Sequence, residues 1–191
     1  MTLDFTNLSD LEKYKLMSTT ISPRPIAWIV TEDEGIINIA PFSYFTPLSS
    51  NPPTLVVSIG QKDTSTPKDT LANILKHKKA TICLAGKEFM DSISKSASPL
   101  PKNVSESKEF SIETLNIKDD YPPIVKGVNV AFFCDFYDTF PIEKSKTLPI
   151  FLTINSMFSQ DEIIDENLHV KAQNIGRVGK SYICDYISKE Q

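Results

Sequence analysis

From Pro25 onward the chain is organised as short apolar runs rich in β-branched and aromatic residues, separated by Pro, Gly, Asn and Asp. Runs of this kind fit strands. Ile26 to Thr31 and Ile36 to Ala40 flank Asp33-Glu34-Gly35, a turn sequence that predicts a hairpin. Asn51-Pro52-Pro53 breaks the chain, and Thr54 to Ile59 then reads as a core strand. Ala80 to Ala85, Val128 to Phe136 and Pro149 to Phe158 repeat the pattern, and Gln160-Asp161 is placed to turn a last hairpin into Glu162-Ile163-Ile164.

Helical spacing is rarer. Ser9-Asp10-Leu11-Glu12 is a capping box that opens a short helix with Leu11, Tyr14 and Met17 on its apolar side. Thr66-Pro67-Lys68-Asp69 puts a hydroxyl at the cap and proline at the first helical position, ahead of Leu71, Ile74 and Leu75. Thr70 and Asn73 fall on the exposed side of that helix. Lys87 to Ser96 reads as a third helix with Phe89 and Ile93 inward. Ala97 to Pro123 holds four of the thirteen prolines and little apolar matter, so the chain from about 97 to 126 reads as a surface excursion where a lid or substrate loop would sit. Many short strands with few helices predict a mainly β, antiparallel barrel with a few short peripheral helices.

A length of 191 residues with 40% apolar residues allows one domain, spanning 1–191, to bury a core without disulfides or metal. A net charge of −4 offers no broad cationic surface to nucleic acid or to an anionic membrane. The charged opening residues and the lack of a long apolar run point to a cytoplasmic protein. Cys83, Cys134 and Cys184 are odd in number and sit in apolar surroundings, which suits buried, inert thiols. With His77 and His169 as the other soft ligands, no metal site is expected. Neither a G-x-G-x-x-G nor a phosphate-loop motif follows any strand.

Three blocks stand in order: Ser22-Pro23-Arg24-Pro25-Ile26-Ala27-Trp28, Asn38-Ile39-Ala40-Pro41-Phe42-Ser43-Tyr44-Phe45, and Lys68-Asp69-Thr70 with Asn73. Asn51-Pro52-Pro53 with the strand to Ser58 adds a weaker fourth, and Arg177-Val178-Gly179-Lys180-Ser181-Tyr182 a closing segment. Together they resemble the flavin reductase-like family, whose fold is an antiparallel Greek-key split barrel that binds FMN between the subunits of a homodimer. The resemblance implies cofactor contacts from Arg24, Asn38, Ala40, Ser43, Ser58, Ile59, Lys68, Asp69, Thr70, Asn73, Arg177 and Tyr182. It departs from the family pattern at Pro67 and at Lys180.

The residue types agree with that implication in part. Lys68-Asp69-Thr70 sets a cation, a hydroxyl and free backbone N–H groups at a helix start, a competent phosphate site. Asp69 would repel phosphate, so it caps the helix or orients Lys68. Arg24, between two prolines, has little backbone freedom and can grip phosphate or the ribityl chain; its plain alternative is a surface arginine. Taken alone, Ile39 to Phe45 reads as an edge strand broken by proline. Trp28 and Phe132-Phe133 read as core. No side chain stands out as a general acid or base, and none is assigned a catalytic role. His77 reads as the C-terminal cation of its helix and His169 as a surface residue.

The function implied is an FMN-dependent oxidoreductase of the NAD(P)H:flavin reductase type, passing electrons from NADH or NADPH to a small-molecule or protein acceptor. Two alternatives share its motifs: a flavoredoxin-type FMN electron carrier without its own nicotinamide site, and a non-enzymatic scaffold on the same barrel.

Overall fold

The computed structural model describes residues 2–62, 66–161 and 163–184. Its elements in chain order are α1 (Asp10–Thr20), β1 (Arg24–Pro25), β2 (Ala27–Asp33), β3 (Ile36–Phe42), β4 (Phe45–Ser50), β5 (Pro53–Gly60), α2 (Asp69–His77) and β6 (Lys79–Leu84). A 3-10 turn at Lys87–Phe89, like the one at Phe5–Asn7 ahead of α1, precedes a helix, here α3 (Met90–Lys95), followed by α4 (Glu106–Glu109), β7 (Thr114–Leu115), β8 (Ile124–Val125), β9 (Val130–Thr139) and β10 (Thr147–Ser159). The small strands β11 (Gly176–Val178) and β12 (Ser181–Ile183) come last.

Seven strands form one antiparallel sheet in the order β3-β2-β6-β9-β10-β5-β4. Its two edge strands, β3 and β4, are joined by Ser43 and Tyr44 alone. So short a link spans only about 11 Å from Phe42 to Phe45. The edges must therefore approach each other, and Ser58 N–H donates to the Tyr44 carbonyl at 2.8 Å beside the junction. The sheet is thus rolled into a barrel, as expected from the run of short strands.

The predicted hairpin is β2–β3, with Glu34 and Gly35 at φ 52° and 76° in its turn. Two residues at positive φ match the twist of the flanking strands, and glycine supplies the second without strain. Alternation along β2 divides the core. Ala27 and Ile29 point into the barrel with Leu55, Val57, Ile59 and Ile82, whereas Trp28 and Val30 face an outer layer with Ile93, Ile124 and Phe133. Trp28 and Phe133 are core, as read from the sequence.

Four expectations need correction. The capping box at Ser9 and Glu12 forms, but Leu11, Tyr14 and Met17 remain exposed on this chain. Helix α2 starts at Asp69, with Lys68 at its cap and no side-chain cap bond, because Pro67 is drawn into a bridge with Gln61. The excursion is more than a surface loop: it carries α4, β7 and β8 and buries Ile112, Tyr121, Ile124 and Val125 over the sheet. A few large residues do that covering, which a low apolar density conceals. Between β10 and β11 the described residues form an isolated bridge, Ile164 to Val170, in place of the expected hairpin; Glu162 lies outside the described residues.

Candidate functional site

Two clefts of about 480 Å³ each flank the Ser43-Tyr44 junction. The first is floored by Asn38, Ala40 and Phe42 of β3, bounded by Lys68 and Asp69 at the start of α2, and walled by Ser96 to Leu100. The second lies between Met17 of α1, Ile21 just after that helix, Arg24, Ser43 and Ser58. A smaller one of about 250 Å³ shares Asn38, Asp69 and Glu106 with the first and reaches Asp33, Asn73, Lys76 and Lys102.

Lys68 is exposed, its Nζ lying 5.7 Å from the centre of the Phe42 ring, and among the described residues it has no carboxylate partner. Asp69 does not orient it. Both Asp69 oxygens are 2.8 Å from Lys62 Nζ, which removes the acid as a competitor for the Lys68 charge. Among the described residues no acid competes for the Lys68 cation, and the positive end of α2 beside it favours an anion.

Thr70 and Asn73 are buried, contrary to expectation, because their face of α2 packs on β2 and β3. The Thr70 hydroxyl donates to Asn38 Oδ1 at 2.7 Å, and Asn73 Nδ2 donates to Thr31 Oγ1 at 3.1 Å. The Thr70 proton is spent on Asn38, which leaves phosphate to Lys68 and the backbone. Asn73 borders the smaller cleft only.

Arg24 is 6% exposed. Its Nη1 donates to the Ser18 carbonyl, while Nε and Nη2 are buried without an acceptor among the described residues. The Tyr44 ring lies 5.7 Å from the guanidinium, and Tyr14 stacks on Tyr44 in turn. Orphaned guanidinium nitrogens at the edge of a cleft call for an anionic or carbonyl-bearing ligand. The donor set thus fits a phosphorylated, carbonyl-rich cofactor.

The remaining candidates divide. Ser43 and Ser58 line the second cleft beside Arg24. The Ile59 side chain is fully buried inside the barrel and reaches neither. Arg177 stacks on Tyr182 at 4.7 Å, and the Tyr182 hydroxyl meets Ser94 at 2.9 Å; neither residue lines the clefts.

Sequence reasoning missed Glu106, which is 6% exposed and reaches β3 across 67 residues. It accepts from Ile39 N–H at 3.0 Å and from Asn38 Nδ2 at 3.1 Å. Burial pushes its carboxyl above the ordinary range, with these bonds opposing. Ser105-Glu106-Ser107-Lys108-Glu109 reads as a solvated run, so no local signal marks it. At the far end of the smaller cleft Asp33 gathers Lys76 at 2.6 Å, His77 at 2.8 Å and Lys102 at 3.3 Å. Its carboxyl is held well below the usual range, chiefly by Lys76 and then His77. Burial pushes the Cys83 thiol up to about 12, which makes it a poor nucleophile.

Residues 17–162 match the family described as the flavin reductase like domain. An uncharacterized protein of Aquifex aeolicus is 33% identical over 173 residues, covering 88% of this chain and 87% of its own length. Among solved structures, nitrilotriacetate monooxygenase component B from Bacillus cereus superposes with a TM-score of 0.93 at 22% identity, covering 100% of this chain and 98% of its own. The 2-nitrobenzoate 2-nitroreductase NbaA of Pseudomonas fluorescens gives 0.88 at 24% identity, with 100% and 96% covered. Both structures share the fold described above.

Proposed function

Since this chain belongs to the flavin reductase-like domain family, we propose that it is an FMN-dependent oxidoreductase that takes a hydride from NADH or NADPH and passes electrons to a second acceptor. The observation that carries the reading is Lys68, a cation without a carboxylate partner among the described residues, at a helix start on the rim of a 480 Å³ cleft. A phosphate monoester bears nearly two charges at neutral pH and is the natural partner of such a cation.

The bound flavin supplies the hydride and electron chemistry itself. Lys68 and the first N–H groups of α2 hold the phosphate. Ala40 in the first cleft and Ser43 in the second, both small, would let the flavin approach the backbone, and Asn38 would address its polar edge. Ser96 accepts from Trp28 Nε1 at 2.9 Å, which anchors the wall that keeps water from one face.

The same reading makes the protein a cytoplasmic homodimer. Among the described residues no helix is long and apolar enough to cross a membrane. Leu11, Tyr14, Met17 and Ile21 expose an apolar stripe along α1 beside the second cleft. A partner subunit covering that stripe would bring Arg24 to the subunit boundary, where its orphaned nitrogens meet the cofactor.

A visible spectrum after incubation with FMN and gel filtration, repeated anaerobically with NADH and then NADPH, tests the whole reading. A retained spectrum bleached by one nucleotide is expected. Retained but unbleached flavin would replace it with an electron carrier, and no retained flavin would leave either weak, exchangeable binding or the scaffold alternative.

A further inference from the structure

Glu106 is a buried carboxylate that, among the described residues, no lysine, arginine or histidine pairs with. Asp33, by contrast, has Lys76, Lys102 and the His77 ring around it. What Glu106 receives instead is a directed set of neutral hydrogen bonds. Its Oε2 accepts from Ile39 N–H at 3.0 Å, and its two oxygens share the Asn38 Nδ2 at 3.1 and 3.2 Å. Asn38 Oδ1 in turn accepts from Thr70 at 2.7 Å and from Thr31 at 3.3 Å, and Thr31 accepts from Asn73 at 3.1 Å.

Hydroxyl neighbours alone would let the Asn38 amide sit either way round, since a hydroxyl donates or accepts as required. An ionised carboxylate only accepts. Glu106 therefore fixes which end of the amide faces where. Asn38 Oδ1 is saturated by the two threonines, one N–H goes to Glu106, and the other has no acceptor among the described residues. Asn38 borders the first cleft, and so does Glu106. The neighbouring Ser105 Oγ donates to the Ile37 carbonyl at 2.6 Å, so two consecutive side chains dress the free edge of β3 and pin the segment that continues from the wall at Ser96 to Leu100.

We propose that Glu106 is a positioning residue of the cofactor cleft: it holds the Asn38 amide so that one N–H is offered to an acceptor atom on the polar edge of the flavin. This rests on the reading of the first cleft as the flavin site. In Glu106→Gln the side chain still accepts from Ile39, but its own N–H groups face Asn38, which must turn round and present oxygen to the ligand. In the double variant Asn38→Asp with Glu106→Gln, the amide and the carboxylate exchange places. All internal bonds are remade, yet no N–H is left for the ligand.

The experiment measures melting temperature without cofactor, FMN affinity by fluorescence quenching, and the absorption bands of bound FMN for the wild type and both variants. Glu106→Gln should weaken FMN binding about ten-fold, the loss of one hydrogen bond of this kind, and shift the bands. The exchange variant should regain the wild-type melting temperature while its affinity and bands stay altered. Recovery of both would make Glu106 merely structural, and wild-type FMN binding by Glu106→Gln would likewise overturn the proposal. A wild type that takes up no FMN would bring down the flavin reading and the proposal with it, a result distinct from unaltered binding by the variant.

Discussion

The hydroxyl of Thr70 donates to Asn38 Oδ1 at 2.7 Å, tying the first turn of α2 to the floor strand of the first cleft. Thr70 is 1% exposed, so Thr70→Val keeps the shape and deletes one buried bond. The expected cost is about 1–2 kcal/mol of stability, read from urea denaturation. FMN affinity should fall less than for a change at Lys68, because the Thr70 proton already belongs to Asn38. An affinity loss larger than that of the lysine variant would mean that Thr70 contacts the phosphate directly.

Lys68→Ala removes the cation at the start of α2. Losing a charge-assisted phosphate contact should weaken FMN binding by about 1.5–3 kcal/mol, roughly ten- to a hundred-fold in Kd. Titration of flavin fluorescence at fixed ionic strength measures it. An unchanged Kd would remove Lys68 from the site.

The stripe on α1 is tested by Met17→Glu. Met17 is 41% exposed, so the change is harmless to an isolated chain, whereas a charge in a covered apolar face is not. Light scattering after gel filtration should show a dimer for the wild type and a monomer for the variant, with FMN retention reduced in parallel. A variant that remains dimeric would move the interface elsewhere.

Acid titration probes Asp33. Its carboxyl is depressed in the folded protein, mainly by Lys76 and His77. An unfolded aspartate titrates near 3.9, so the unfolded chain takes up the proton first as pH falls. The stabilisation is complete above that value and is lost as pH drops through and below it. Asp33→Asn should melt lower than the wild type at pH 7, and the gap should narrow between about pH 4 and 2. A gap independent of pH would show that the cations contribute nothing through charge.

What the sequence made legible follows the range of each interaction. The hairpin at Glu34 and Gly35, the capping box at Ser9 and the core role of Trp28 depend on neighbours in sequence or on alternation within one strand, and each is present in the fold. Thr70 and Asn73 were misread because a short helix has two faces, and only the position of β2 decides which is covered. Asp69 was misread because Lys62, seven residues earlier in the chain, outcompetes Lys68 for it. Glu106 left no trace, since the backbone N–H that it serves lies on an edge strand whose exposure is a property of the rolled sheet. Arg24 was legible as a constrained arginine, but its orphaned nitrogens follow from the packing of α1.

The two-residue link between β3 and β4 also sets a reading frame for the cofactor region. Phe42 ends the wall of one cleft and Ser43 begins the wall of the other, so the residues on this seam are assigned to their sides by count alone. One residue inserted here would reverse the assignment, exchanging inward and outward side chains beyond it. The seam thus tolerates substitution far better than any change of length, and diversity in what such a barrel accepts is expected to arise at the mouth of the clefts, in segments like that from 97 to 126, while the seam keeps its length.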